Sequence, residues 1–126
     1  MTSSAPSMAG KSSASRTALR NATVIGTVLQ LAMVLAGHWV DIIRLRGFAG
    51  GGMLISAVAG VIYARTSRAA RGISALNGAI AGGVCALIGI AVSVALGDTA
   101  APILAIGTIG SAVAGAIAGA IAGGAT

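Results

Sequence analysis

The stretch GAIAGAIAGG, residues 115–124, decides how the rest of the chain is read. It carries no acid, base, nucleophile or metal ligand, so its role must lie in how the backbone packs. Around it Gly107, Ser111, Gly115, Gly119 and Gly123 recur at every fourth position, and so do Ile109, Val113, Ile117 and Ile121. On an α-helix each step of four advances by about 40°, so the small residues form a slowly winding groove and the branched ones a ridge on another side. A flexible linker has no use for a regular isoleucine interval, and a strand needs a period of about two. Silk-like pairing fails in lipid, which leaves an open sheet edge unsatisfied.

Composition places that helix in a membrane. Charged residues make up 8% of the chain and hydrophobic ones 56%, with a mean hydropathy of +0.99. A soluble domain carries about 25% charged residues. The net charge of +6 and pI near 11.6 would point to nucleic acid in a soluble protein. Here the basic residues flank apolar runs and only three aromatics exist on which a base could stack, so no nucleic-acid partner is expected.

The expected fold is all-α: an integral membrane bundle of four short antiparallel transmembrane helices with small-xxx-small packing. Residues 1–20, rich in Ser and Ala and free of acids, read as a disordered basic tail ahead of a transmembrane domain at 21–126. The spans fall at about 22–40, 47–64, 77–96 and 102–124, against the roughly 20 residues that a helix needs to cross a bilayer. The second is the shortest, and its Gly50-Gly51-Gly52 entry predicts a regular helix only from near Gly52. Residues 65–76 read as a basic connection, and Gly97-Asp98-Thr99 as a turn that leads to Pro102 in the first turn of the last helix.

Lys11, Arg16, Arg20, Arg65, Arg68 and Arg71 fall on one side of this arrangement, and Arg44 and Arg46 on the other. The positive-inside rule then puts both termini in the cytoplasm, with a bacterial inner membrane as the expected location. Trp39, Phe48 and Tyr63 stand at span ends, as aromatic-belt residues do. Two competing accounts concern the first segment: a cleaved signal peptide ending near Leu35-Ala36-Gly37, and a Ser-rich organelle transit peptide. The long basic tail and the apolar residues that continue past Gly37 favour a retained span.

Small columns recur beyond the fourth span: Gly52, Ser56, Gly60 and Ala64 in the second, and Ala81, Cys85, Gly89, Ser93 and Gly97 in the third, beside Gly78, Gly82 and Ala86. Such columns let helix backbones approach closely where burial from water no longer drives association. The expected packing residues are Gly52, Ser56, Gly60, Gly89, Ser93, Gly107, Ser111, Gly115, Gly119 and Gly123. Spare grooves on such thin helices predict a homo-oligomer or a membrane-protein partner within the lipid bilayer. Arg65, Arg68 and Arg71 are candidates for contact with anionic lipid headgroups, each gaining about 1 kcal/mol close to the surface.

The chemistry-bearing residues concentrate in the first span. Thr23, Thr27, Gln30, Gly37 and Asp41 share roughly one quarter of its circumference, and His38 lies at the stripe's edge. One reading is a hydrophilic track with His38 as a proton-responsive group and Asp41 as its counter-charge. The plainer reading is an interhelical hydrogen bond from Gln30, with His38 and Asp41 in headgroup water. Asp41 and Arg44 have the spacing of a local ion pair. Cys85 reads as a packing residue within its small column. One His, one Cys and two Asp give no metal-binding set, and the only histidine would have to serve any nucleophilic triad. No enzyme activity and no cofactor are expected.

In size and span number the chain resembles the small multidrug transporters, a resemblance that would imply a proton-coupling glutamate in the first helix. This chain has no glutamate, and Gln30 cannot titrate. The leading expectation is therefore a small polytopic membrane protein of structural, accessory or self-associating type. A transporter or channel lined by the first-span stripe is the alternative. A membrane-permeabilising holin-like or bacteriocin-like protein is a third, against which the four spans and the ordered charge asymmetry count.

Overall fold

The computed structural model describes residues 4–41 and 48–124, with side chains over 15–41 and 50–124. It is all-helical: α1 (Ser4–Trp39), α2 (Phe48–Ser67), α3 (Arg71–Ala95) and α4 (Ile103–Ala122), with no strand among the described residues. Among the described residues, three segments are long and apolar enough to cross a membrane, namely Ser15–Trp39, Arg71–Ala95 and Ile103–Ala122. Together they point to a membrane protein.

Three expectations about boundaries need correction. Residues 4–20 are helical and continuous with the first span, in place of the expected disordered tail. Alanine and serine without apolar periodicity still permit helix, and Ala18 and Ala22 bury against the bundle at 3% and 0% exposure. Next, α2 begins at Phe48 and passes through Gly50-Gly51-Gly52 without a break. Finally, α3 begins at Arg71, inside what reads as a connection. Its first turns carry Ser74 and Asn77, which lower the hydropathy but bond inward: Ser74 Oγ donates to the Ala69 carbonyl at 3.2 Å, and Asn77 Nδ2 to the Tyr63 hydroxyl at 2.7 Å.

Local chemistry closes the helices. Arg68 ends α2 in the left-handed region at φ 53°, with its N–H on the Ala64 carbonyl. At the end of α3, Gly97 takes φ +79°, its N–H bonds to the Val94 carbonyl, and that of Asp98 bonds to Ser93. This is the Schellman pattern, in which glycine adopts a conformation costly to other residues and the next amide satisfies an orphan carbonyl. Pro102 then caps α4, one position ahead of the helix, where its missing N–H costs nothing.

Helix α4 packs on α3 and α2, and α1 packs on the same two from elsewhere; among the described residues α1 and α4 do not meet. The contact surfaces are made of small residues. A Cβ on Gly115 would overlap the Gly78 carbonyl, one on Gly78 or Gly60 would overlap the Gly115 carbonyl, and one on Gly119 would overlap the Ser74 carbonyl. A Cβ on Gly82 would come within 2.9 Å of the Ser111 carbonyl. These backbones therefore touch where any side chain would hold them apart. Contacts of this kind gain dispersion and weak Cα–H···O attraction, on the order of 0.5–1 kcal/mol each. The opposite face of α4 carries Ile106, Ile109, Val113, Ile117 and Ile121, all more than half exposed.

Candidate functional site

The buried face of α1 is the column Ala18, Ala22, Gly26, Gln30, Val34 and Gly37. It is small until Gln30, and a Cβ at Gly26 would reach Cys85 Sγ at 3.0 Å and Ala59 Cβ at 3.2 Å. That closeness carries Gln30 into the interior, where it is 2% exposed. Its amide nitrogen donates to the Gly52 carbonyl at 3.0 Å and lies 3.3 Å from Ser56 Oγ, which in turn donates to the Gly82 carbonyl at 3.1 Å. Cys85, fully buried, donates to the same carbonyl at 3.3 Å. One polar chain thus ties α1, α2 and α3 together at mid-bundle. An amide taken out of water needs such partners, since an unpaired one costs about 1–3 kcal/mol.

The glycine entry of α2 belongs to this site. Gly51 lies so close to Met33 that a Cβ would come within 2.7 Å of its sulfur, and Gly52 offers its carbonyl to Gln30. Gly89 on α3 closes the other side, where a Cβ would stand 2.9 Å from Gln30 Cβ.

The remaining stripe residues separate. Thr23 and Thr27 are half-buried beside the Gln30 column, and Thr27 Oγ1 is buried with no hydrogen-bond partner. Asp41 is exposed beyond the end of α1. His38 finds a different acid from the one expected: its Nδ1 donates to Asp98 Oδ2 at 2.7 Å. Asp98 is placed for this by the Schellman turn at Gly97, sixty positions away in sequence and therefore invisible to helix periodicity. Trp39 is 82% exposed and stands edge-on to His38, with ring centroids 5.3 Å apart. The Asp41–Arg44 pair and the Phe48 side chain lie outside the described residues.

Tyr63 departs from its expected place in an aromatic belt, being wholly buried. Its hydroxyl sits 2.5 Å from Ser15 Oγ and accepts from Asn77, which joins α1, α2 and α3 at the end that also bears Arg16, Arg20, Arg65, Arg68 and Arg71. Those five arginines are exposed. Gly124, just past α4, reaches the same region, its N–H on the Ala69 carbonyl.

Of the expected packing residues, Gly52, Ser56, Gly60, Gly89, Ser93, Ser111, Gly115 and Gly119 are buried within the single chain, and Gly107 and Gly123 partly so. Gly52 differs from the rest in reason: a Cβ there would meet only ordinary contacts, and its carbonyl is what the bundle uses.

All four helices contribute to a cavity of about 550 Å³ at the His38–Asp98 end. Met33, Met53, Ile90 and Ile106 supply apolar wall, Gln30 and Ser111 stand on the side toward mid-bundle, and Asp98 contributes a carboxylate. Among the described residues, no three His, Cys, Asp or Glu side chains converge as a metal site would require. No family model, curated protein sequence or solved structure matches this chain.

Proposed function

We propose that this chain is a small, non-enzymatic polytopic membrane protein of structural or accessory type. In this reading the helices alternate in direction as an antiparallel bundle, and small-xxx-small columns hold them together. The observation that carries it is the mutual overlap of Gly115 with Gly78, joined by the overlap of a Cβ on Gly60 with the Gly115 carbonyl, which spends the most specialised part of the sequence on internal packing. The alternation is supported by the ends that meet: Ser15 with Tyr63 at one end, His38 with Asp98 at the other. The hydrophilic-track alternative has less support, because Gln30 is committed to α2 and His38 bonds to Asp98 in place of Asp41.

The glycine columns are filled from within one chain, so association with a second membrane helix falls to the exposed ridge Ile106, Ile109, Val113, Ile117 and Ile121. The cluster of exposed arginines at the Tyr63 end supports an orientation with that end in the cytoplasm of a bacterial inner membrane, against anionic headgroups.

Purification in mild detergent, with mass determination and identification of co-purifying proteins, tests this reading. An accessory or self-associating role predicts a defined complex that polar substitutions along the Ile ridge dissolve. A chain that runs alone and conducts ions or solutes across liposomes would replace the reading with transport.

A further inference from the structure

The cavity at the His38–Asp98 end is not explained by packing. A bundle selected only for close contact would fill about 550 Å³ with side chains, as it does around Gly78 and Gly115. Its volume lies in the range of small-molecule sites, which combine apolar walls with a few placed polar groups. Asp98, on the wall, is held by His38 and by a further interaction, and the hydroxyls of Ser93 and Thr99 bond to each other at 2.6 Å. Gln30 is only half engaged. Its amide nitrogen donates to Gly52, whose carbonyl can only accept, and this fixes which way the amide is turned. Its oxygen, Oε1, receives no hydrogen bond from any described residue, although Gln30 is 2% exposed. That oxygen lies between Gly52 and Gly89, where an added Cβ would stand 3.6 and 3.5 Å from it, and both glycines line the cavity. Ser111, on the same wall and 3% exposed, likewise has no partner for its hydroxyl among the described residues. Neither oxygen is sealed in as the unpartnered hydroxyls of Thr27 and Thr108 are, so both open on to the cavity.

We infer that this cavity is a binding site for a small, uncharged lipophilic alcohol, its apolar body against Met33, Met53, Ile90 and Ile106 and its hydroxyl donating to Gln30 Oε1. A buried carbonyl oxygen without a donor carries a desolvation cost, and a bound hydroxyl removes it. A hydroxyl also has lone pairs to accept from Ser111, whereas an ether or a ketone has no proton for Gln30. The methionines, unbranched and polarisable, allow the walls to fit apolar bodies of different shape. The site stands whether or not the protein assembles with a partner.

Equilibrium dialysis of full-length protein in phosphatidylcholine nanodiscs, whose lipids carry no hydroxyl, tests it, with empty nanodiscs as the partition control. The probes are 4-phenylbutanol and its methyl ether, which share one apolar body. The expected result is saturable binding of the alcohol above the empty-disc background and binding of the ether about fivefold weaker, the usual worth of one neutral hydrogen bond. Gln30 is the only glutamine in the chain, so its side-chain carbonyl can be labelled singly with carbon-13. Saturation with the alcohol should move that resonance downfield, and the ether should leave it in place. Gly110→Leu supplies a variant: a Cβ there meets nothing nearer than Met53 Cε at 3.9 Å, so the side chain enters the cavity without disturbing the backbone. It should abolish binding while Gln30 keeps its bond to Gly52. Alcohol uptake no greater than in empty discs, equal binding of the ether, an unmoved Gln30 resonance at saturation, or full binding by Gly110→Leu would each overturn the site.

Discussion

His38 Nδ1 lies 2.7 Å from Asp98 Oδ2, and this contact joins the end of α1 to the turn that precedes α4, although among the described residues the backbones of the two helices stay more than 8 Å apart at Cα. The pair is partly exposed on the histidine side, which limits its worth. A double-mutant cycle with His38→Ala and Asp98→Asn, read by unfolding in mild detergent, should give a coupling of about 1 kcal/mol. Strictly additive losses would mean that the two side chains do not act on each other.

Gln30→Leu should destabilise the bundle by about 1–2 kcal/mol, because it removes a buried donor and leaves the Gly52 carbonyl without its side-chain partner. Gly89→Ala should destabilise as well, since the new methyl would press on Gln30 Cβ. Thermal unfolding of both variants is the check. A neutral Gln30→Leu would place the amide in water instead of between helices.

Tyr63→Phe keeps the ring and deletes the hydroxyl that Ser15 and Asn77 share. A loss of about 1–2 kcal/mol is expected, mostly from the polar groups left unpaired in a buried place. Ser15→Ala should cost less, because Asn77 continues to hold the tyrosine. A belt residue facing headgroups would tolerate Tyr63→Phe with no change in stability.

These sites show what could be read from the chain and what could not. The position of α4 was legible because glycine and isoleucine repeat along it with helical spacing, and Gln30 stood out as an amide in an apolar run. Hydropathy hid the start of α3, where Ser74 and Asn77 lower the average while bonding inward. Tyr63 looked peripheral because linear position near an arginine does not reveal which way a side chain turns. The His38–Asp98 contact depends on how α1 and α3 stand in space and on the positive φ of Gly97, neither of which leaves a periodic trace. The spare glycine grooves that predicted self-association are occupied by neighbouring helices of the same chain.

The most direct test of the central claim, that glycine is placed in α3 and α4 so that backbones can touch, sets two Gly→Ala changes against each other in one unfolding assay. Helix propensity alone favours alanine over glycine by about 0.8–1 kcal/mol in a helix interior, where Gly115 lies, and by less in the first turn, where Gly72 lies. Gly72 has nothing within 4 Å of a Cβ, so Gly72→Ala should follow propensity and stabilise. At Gly115 the methyl would overlap the Gly78 carbonyl, so Gly115→Ala should reverse the sign and destabilise by about 1–3 kcal/mol, the usual cost of overpacking. Stabilisation at both positions would contradict the account.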